Sequence, residues 1–98
     1  MEIIKTLNGD ELTIALVGEL NSANAKQVED VINTSLKGVK SLVFEFKDLE
    51  YISSAGLRIL LVSKKVMDKQ GTMVVRNPNE SVLEIFTITG FKDILDVQ

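Results

Sequence analysis

Glu50-Tyr51-Ile52-Ser53-Ser54-Ala55-Gly56-Leu57-Arg58 reads as a hydroxyl-rich turn between a buried strand and a long helix. The strand before it, Ser41 to Phe46, carries the apolar run Leu42-Val43-Phe44, and apolar residues after it recur at helical spacing from Gly56 to Gln70. Two serines therefore fall where a helix begins. The first N–H groups of a helix lack intrahelical partners and carry the positive end of its dipole, so this position favours a hydroxyl cap, a carboxylate or a phosphate.

Working outward, Glu2 to Leu7 and Glu11 to Val17 are β-rich and joined through Asn8-Gly9-Asp10, a hairpin signal because Asn-Gly accepts positive φ at both turn positions. Leu12, Ile14 and Leu16 alternate with Thr13, Ala15 and Val17, so both faces of the second segment are fairly apolar, which places it inside a sheet. Gly18-Glu19-Leu20-Asn21-Ser22 is expected to break that strand and open a helix capped by Asn21 or Ser22. Val28, Val31, Ile32 and Leu36 then form its buried stripe, with Gly38 beyond its end. Lys47-Asp48-Leu49-Glu50 reads as a polar connection.

In the helix after the central turn, Leu57, Leu60, Leu61 and Met67 form one apolar line and Ile59, Val62 and Val66 a second. One line suffices to pack on a sheet, so the second either joins the core as well or stays partly open at its N-terminal end and meets another protein next to Ser54. Gly71 stops this helix before a strand at Thr72 to Val75. Asn77-Pro78-Asn79-Glu80 is a helix start, with Pro78 suited to the first helical position and Glu80 to a capping box. Val82, Leu83 and Phe86 are its buried side, Gly90 ends it, and Ile94, Leu95 and Val97 suggest a last short strand. Strands alternating with single helices imply parallel strands with right-handed crossovers. The expected architecture is a single small α/β domain over residues 1–98. Its sheet is mixed, mostly parallel and of about five strands, with helices mainly on one face.

The absences narrow the chemistry. The 98 residues contain no histidine and no cysteine, which removes Ser-His-Asp triads, Cys-His pairs, disulfides and His- or Cys-ligated metals. There is no phosphate-cradling P-loop and no G-x-G-x-x-G. Asp48 and Glu50 would serve as an acid-base pair or hold magnesium only if they converged on one pocket. Ser53 and Ser54 have no histidine to activate them, so an enzyme is not expected, and neither is a cofactor. With 45% hydrophobic and 26% charged residues and a formal charge of −3, this is the composition of a soluble domain. Its cations at Lys64, Lys65 and Lys69 are spaced like a solvated helix face, so nucleic acid is not an expected partner. No apolar run reaches the roughly 18 residues of a membrane helix, and no signal-peptide pattern opens the chain. The expectation is a cytoplasmic protein without membrane insertion.

For Ser53 and Ser54 two roles remain, a helix cap and a phosphorylation site. A phosphoserine adds roughly −1.5 to −2 charges, which a helix start tolerates within its own chain. A partner laid over the turn would have to desolvate that charge, at about 3 to 5 kcal/mol, or roughly two to three powers of ten in affinity.

Gly18-Glu19-Leu20, Asp48-Leu49, Tyr51-Ile52-Ser53-Ser54-Ala55-Gly56-Leu57 and the closing Leu83-Glu84-Ile85-Phe86-Thr87-Ile88-Thr89-Gly90-Phe91 together resemble the STAS domains of bacterial anti-sigma factor antagonists. In that family the turn usually reads Asp-Ser-Ser/Thr-Gly-Leu, and the serine after the aspartate is phosphorylated. The resemblance implies that Ser54 is the phosphoacceptor, with Ser53 as second choice. It implies that Glu19, Asn21, Tyr51, Ser53, Ser54, Ala55, Gly56, Leu57 and Ile59 form the partner surface. The implied partners are an anti-sigma factor serine kinase using ATP and magnesium, bound by the unmodified antagonist, and a PP2C-type phosphatase that resets the cycle. Ser53 stands where the family has aspartate, and Asn21 where it often has one. The chain also stops soon after Val97, short of a C-terminal helix that many relatives carry. Loss of the aspartate favours one alternative, a constitutive STAS subunit of an ABC-type lipid transporter, and the affinity of helix starts for anions leaves another, a small-ligand or nucleotide sensor.

Overall fold

The two-residue period of Leu12, Ile14 and Leu16 decides which side of the sheet is covered. The computed structural model describes residues 1–98, as β1 (Glu2–Asn8), β2 (Glu11–Leu20), α1 (Ala25–Ser35), β3 (Ser41–Glu45), β4 (Leu49–Ile52), α2 (Ser54–Met67), β5 (Thr72–Arg76), α3 (Glu80–Thr89) and a 3-10 turn at Phe91–Asp93. The sheet runs β1-β2-β3-β5, and β4 pairs with β2 further along that strand, beyond its pairing with β3. β1 is antiparallel to β2, and the other strand pairs are parallel. The α/β class, the mixed five-stranded sheet and the interior place of β2 agree with the reading of the sequence.

Leu12 and Ile14 are in register with Leu42 and Phe44 of β3, and these with Met73 and Val75 of β5. On this face lie Val28 and Ile32 of α1, Leu57, Leu60 and Met67 of α2, and Val82 and Phe86 of α3, all within one core cluster. The Phe46 ring sits 5.9 Å from that of Phe44 and 6.5 Å from that of Phe86, which ties α3 to the middle of the sheet. The opposite face presents the partly buried Thr13, Ala15 and Val17 and no helix.

Several local expectations are overturned. β2 does not break at Gly18 but continues to Leu20, because Gly18, at φ +105°, absorbs a register shift between itself and Glu19. The polar connection is a strand: in β4 Leu49 and Ile52 are buried while Glu50 and Tyr51 face outward. The fifth strand is therefore β4, and the C-terminal segment contributes only a bridge from Val97 to Val75. The hairpin turn is Gly9-Asp10 with only Gly9 at positive φ, since Asn8 is still paired with Glu11. α1 starts at Ala25, a turn later than expected, because the Asn21 side chain is engaged in a turn of its own. α2 starts at Ser54 and ends at Met67, not at Gly56 and Gln70. α3 is capped by Asn79, which puts Pro78 outside the helix and Glu80 at its first position, too early for a capping box. No helix is long and apolar enough to cross a membrane.

Candidate functional site

The central turn hangs from the far end of β2. Glu19 pairs with Tyr51 and Leu20 with Ile52, and the Ser53 N–H continues the ladder by donating to the Leu20 carbonyl at 2.8 Å. At φ −91° and ψ 175° Ser53 is extended, and it is the N-cap of α2: its Oγ accepts from the Gly56 N–H at 3.3 Å and its carbonyl from the Leu57 N–H at 2.9 Å. One serine is thus spent on the helix end. The other, Ser54, is the first helical residue, exposed, and its hydroxyl makes no hydrogen bond within the protein.

Gly56 is what lets the turn sit so close. A Cβ there would lie 2.7 Å from Ile52 Cγ1 and 2.8 Å from Leu20 Cγ, so the first turn of α2 rests directly on the paired ends of β2 and β4. The β2–α1 connection beside it is locked by two asparagines. Asn21 Oδ1 accepts from the N–H groups of Ala23 and Asn24, Asn24 Oδ1 accepts from the Asn21 N–H at 2.9 Å, and Asn24 Nδ2 donates to the Glu19 carbonyl at 2.8 Å. Asn79 holds the other flank: its Nδ2 donates to the Leu49 carbonyl at 3.0 Å while its Oδ1 caps α3 through the Val82 N–H at 2.8 Å.

The residues expected at the partner surface separate into two groups. Glu19, Tyr51 and Ser54 are exposed, and Asn21, Ser53 and Ala55 partly so. Leu57 and Ile59 are only 6% and 4% exposed, and Gly56 is buried. The exposed apolar residues of α2 are instead Val62, at 45%, and Val66, at 37%. Asp48 and Glu50 line an open cleft with Lys47 and Asn79, and nowhere do three or more acids gather as metal ligands would. Two supports escaped the sequence reading: Asn24, which had no signal apart from its distance from Asn21, and the cap at Asn79, visible in Asn77-Pro78-Asn79 but assigned two residues too early. Chemically, the turn offers an unengaged hydroxyl at the positive end of a helix dipole, with no base beside it to make it a nucleophile.

A family model described as the STAS domain matches residues 2–98. The chain belongs to the STAS domain family. This STAS domain is 42% identical over 88 residues to BtrV of Bordetella bronchiseptica, named as an anti-sigma factor antagonist, a match spanning 88% of this chain and 76% of the relative. It is 28% identical over 91 residues to the anti-sigma-B factor antagonist of Bacillus subtilis, spanning 92% of this chain and 84% of that one. Among solved structures, unphosphorylated SpoIIAA superposes with a TM-score of 0.86 at 20% identity, over 99% of this chain and 88% of its own. The phosphorylated form of SpoIIAA, a Bacillus cell fate determinant, gives 0.78 at 19% identity, over 99% and 91%. At these identities the structural likeness is one of fold. In this STAS domain, Ser53 performs the capping that the carboxylate of an aspartate performs equally well, which gives the departure from the family's turn a physical rationale.

Proposed function

We propose that this STAS domain is an anti-sigma factor antagonist and a regulatory binding protein without catalysis of its own. The unmodified form binds an anti-sigma factor and so frees the sigma factor. The anti-sigma factor is a serine kinase, Ser54 is its phosphoacceptor, and a PP2C-type phosphatase restores the binding form. The observation that carries this reading is the division of labour at the turn: Ser53 caps α2, so the Ser54 hydroxyl is exposed and uncommitted. The names of the relatives in Bordetella and Bacillus support the antagonist role, and the two forms of SpoIIAA support a phosphate on this fold.

Energetics favour a switch at this place. A phosphate on the first residue of a helix meets free N–H groups and the dipole, so the fold keeps its stability. A partner pressed on Glu19, Tyr51 and Ala55 meets roughly two further negative charges that it must desolvate. The test is titration calorimetry of the cognate anti-sigma factor against the wild-type chain and Ser54→Asp, with site mapping of phosphate on protein from its own host. Ser54→Asp is expected to bind roughly a hundredfold more weakly or worse, with unchanged or slightly raised thermal stability. Equal affinity of the two forms would overturn the switch.

A further inference from the structure

The solvent side of α2 carries a charge pattern that the Ser54 turn leaves unexplained. The chain has a net charge of −3, yet between residues 58 and 69 four cations, Arg58, Lys64, Lys65 and Lys69, face a single acid, Asp68. That acid is taken by Lys64, whose Nζ lies 2.8 Å from its Oδ1. Arg58, Lys65 and Lys69 are exposed and belong to neither of the two ion pairs in the structure. Lysines in the last turn of a helix are favoured by its dipole, but Arg58 lies near the positive end and has no such support.

The apolar residues beside these cations follow a register. Ala55, Ile59, Val62 and Val66 are separated by four, three and four residues, the spacing of a heptad seam, and Arg58 and Lys65 each directly precede a seam residue, where flanking charges in a coiled coil select the partner helix. Ala55, Ile59 and Val62 form one wall of a cleft of about 180 Å³, and Ala25 and Ile32 of α1 are on the other. The solvent end of this line, at Val62 and Val66, is uncovered.

We propose that the groove between α1 and α2 seats a helix of a protein partner. That helix is amphipathic, with an apolar ridge lying on Ala55, Val62 and Val66 and carboxylates facing Arg58 and Lys65. Charge complementarity names the occupant: Glu29 is the one acid lining the cleft, on its α1 wall, so the α2 rim, Arg58 with Lys65 beyond the cleft, is the basic side that a basic or neutral helix would leave unpaired. The proposal rests on the reading of the Ser54 turn as a docking surface and gives it a chemistry. Ser54 and Arg58 are four residues apart on one helix face, so a phosphate at Ser54 would engage the cation nearest the turn and turn that end of the groove negative.

The test uses the full chain, labelled with nitrogen-15, and three helix-stabilised synthetic peptides of about 18 residues, or roughly 27 Å of helix. One has a leucine ridge flanked by glutamates, the second the same ridge flanked by lysines, and the third glutamates without the ridge. The glutamate-flanked ridge is expected to bind about tenfold more tightly than the lysine-flanked one, as a few exposed ion pairs would give. Shifts should concentrate on α1 and α2, and affinity should fall between about 0.05 and 0.3 M salt. The double variant R58E/K65E should reverse the preference. Equal binding of the two ridges, no binding at millimolar peptide, shifts centred on the uncovered sheet face, or a groove occupied by a second copy in sedimentation would each overturn the proposal. A retained acidic preference together with no phosphate on Ser54 in protein from its own host would refute the switch and keep the groove.

Discussion

α2 and α3 begin alike but are fastened to the sheet by different groups. Each follows a strand, each N-cap is extended, and each cap side chain accepts from the N–H three residues on, Ser53 from Gly56 and Asn79 from Val82. Asn79 is also a fastener, since its amide reaches back to the carbonyl of Leu49 on β4. The Ser53 hydroxyl accepts from Gly56 and its O–H reaches no carbonyl of a neighbouring strand, so its position is held by backbone bonding to Leu20 and by the close seat of Gly56. The side chain at the α3 start is consumed by the fold. At the α2 start the support is moved into backbone and glycine, so the hydroxyl of the serine that follows is exposed and uncommitted.

This contrast can be broken at its strongest point first. Asn79→Ala removes a cap and orphans the Leu49 carbonyl, and should cost about 2 to 3 kcal/mol in urea unfolding. Asn79→Asp, which keeps the cap and loses the donation, should recover at least half of that. Gly56→Ala forces a methyl against Ile52 and Leu20 and should cost about 1 to 2 kcal/mol, lowering the thermal midpoint by roughly 4 to 16 °C. It should also reduce anti-sigma factor binding by more than the lost stability accounts for, because the turn itself is displaced. Ser53→Ala, losing a long 3.3 Å cap bond, should cost about 0.5 to 1 kcal/mol, whereas Ser54→Ala should stay within about 0.5 kcal/mol of wild type. A Ser54→Ala cost as large as that of Ser53→Ala would mean that both hydroxyls serve the fold, and the division of labour at the turn would fail.

Much of this was legible beforehand. The period of β2, the stripes of α1 and α2 and the alternation of strands with helices gave the class and the covered face, because each repeats over enough residues to be read. β4 was not legible: four residues with burial at the two ends and exposure in the middle break the two-residue period of a strand and are too few to establish any other. Its pairing depends on a bulge at Gly18, some 30 residues earlier, which a local pattern cannot announce. The serine pair was visible as a helix start, but which serine caps depended on where α2 began, and that is fixed by contact between Gly56 and Leu20. Leu57 and Ile59 were expected at the surface as part of an over-wide apolar stripe; three helices on one face bury them, and the surplus appears further along, at Val62 and Val66.

The backbone bond from Ser53 to Leu20 has a consequence for recognition. It joins the turn to the central strand, so the amide of Ser53 should exchange with solvent on the timescale of global unfolding rather than of loop fraying. Ser54 is then presented in a fixed shape, and an enzyme that modifies it has to read a folded epitope instead of an extended peptide. A partner gains from the same rigidity, because the segment it binds loses little motional freedom on association.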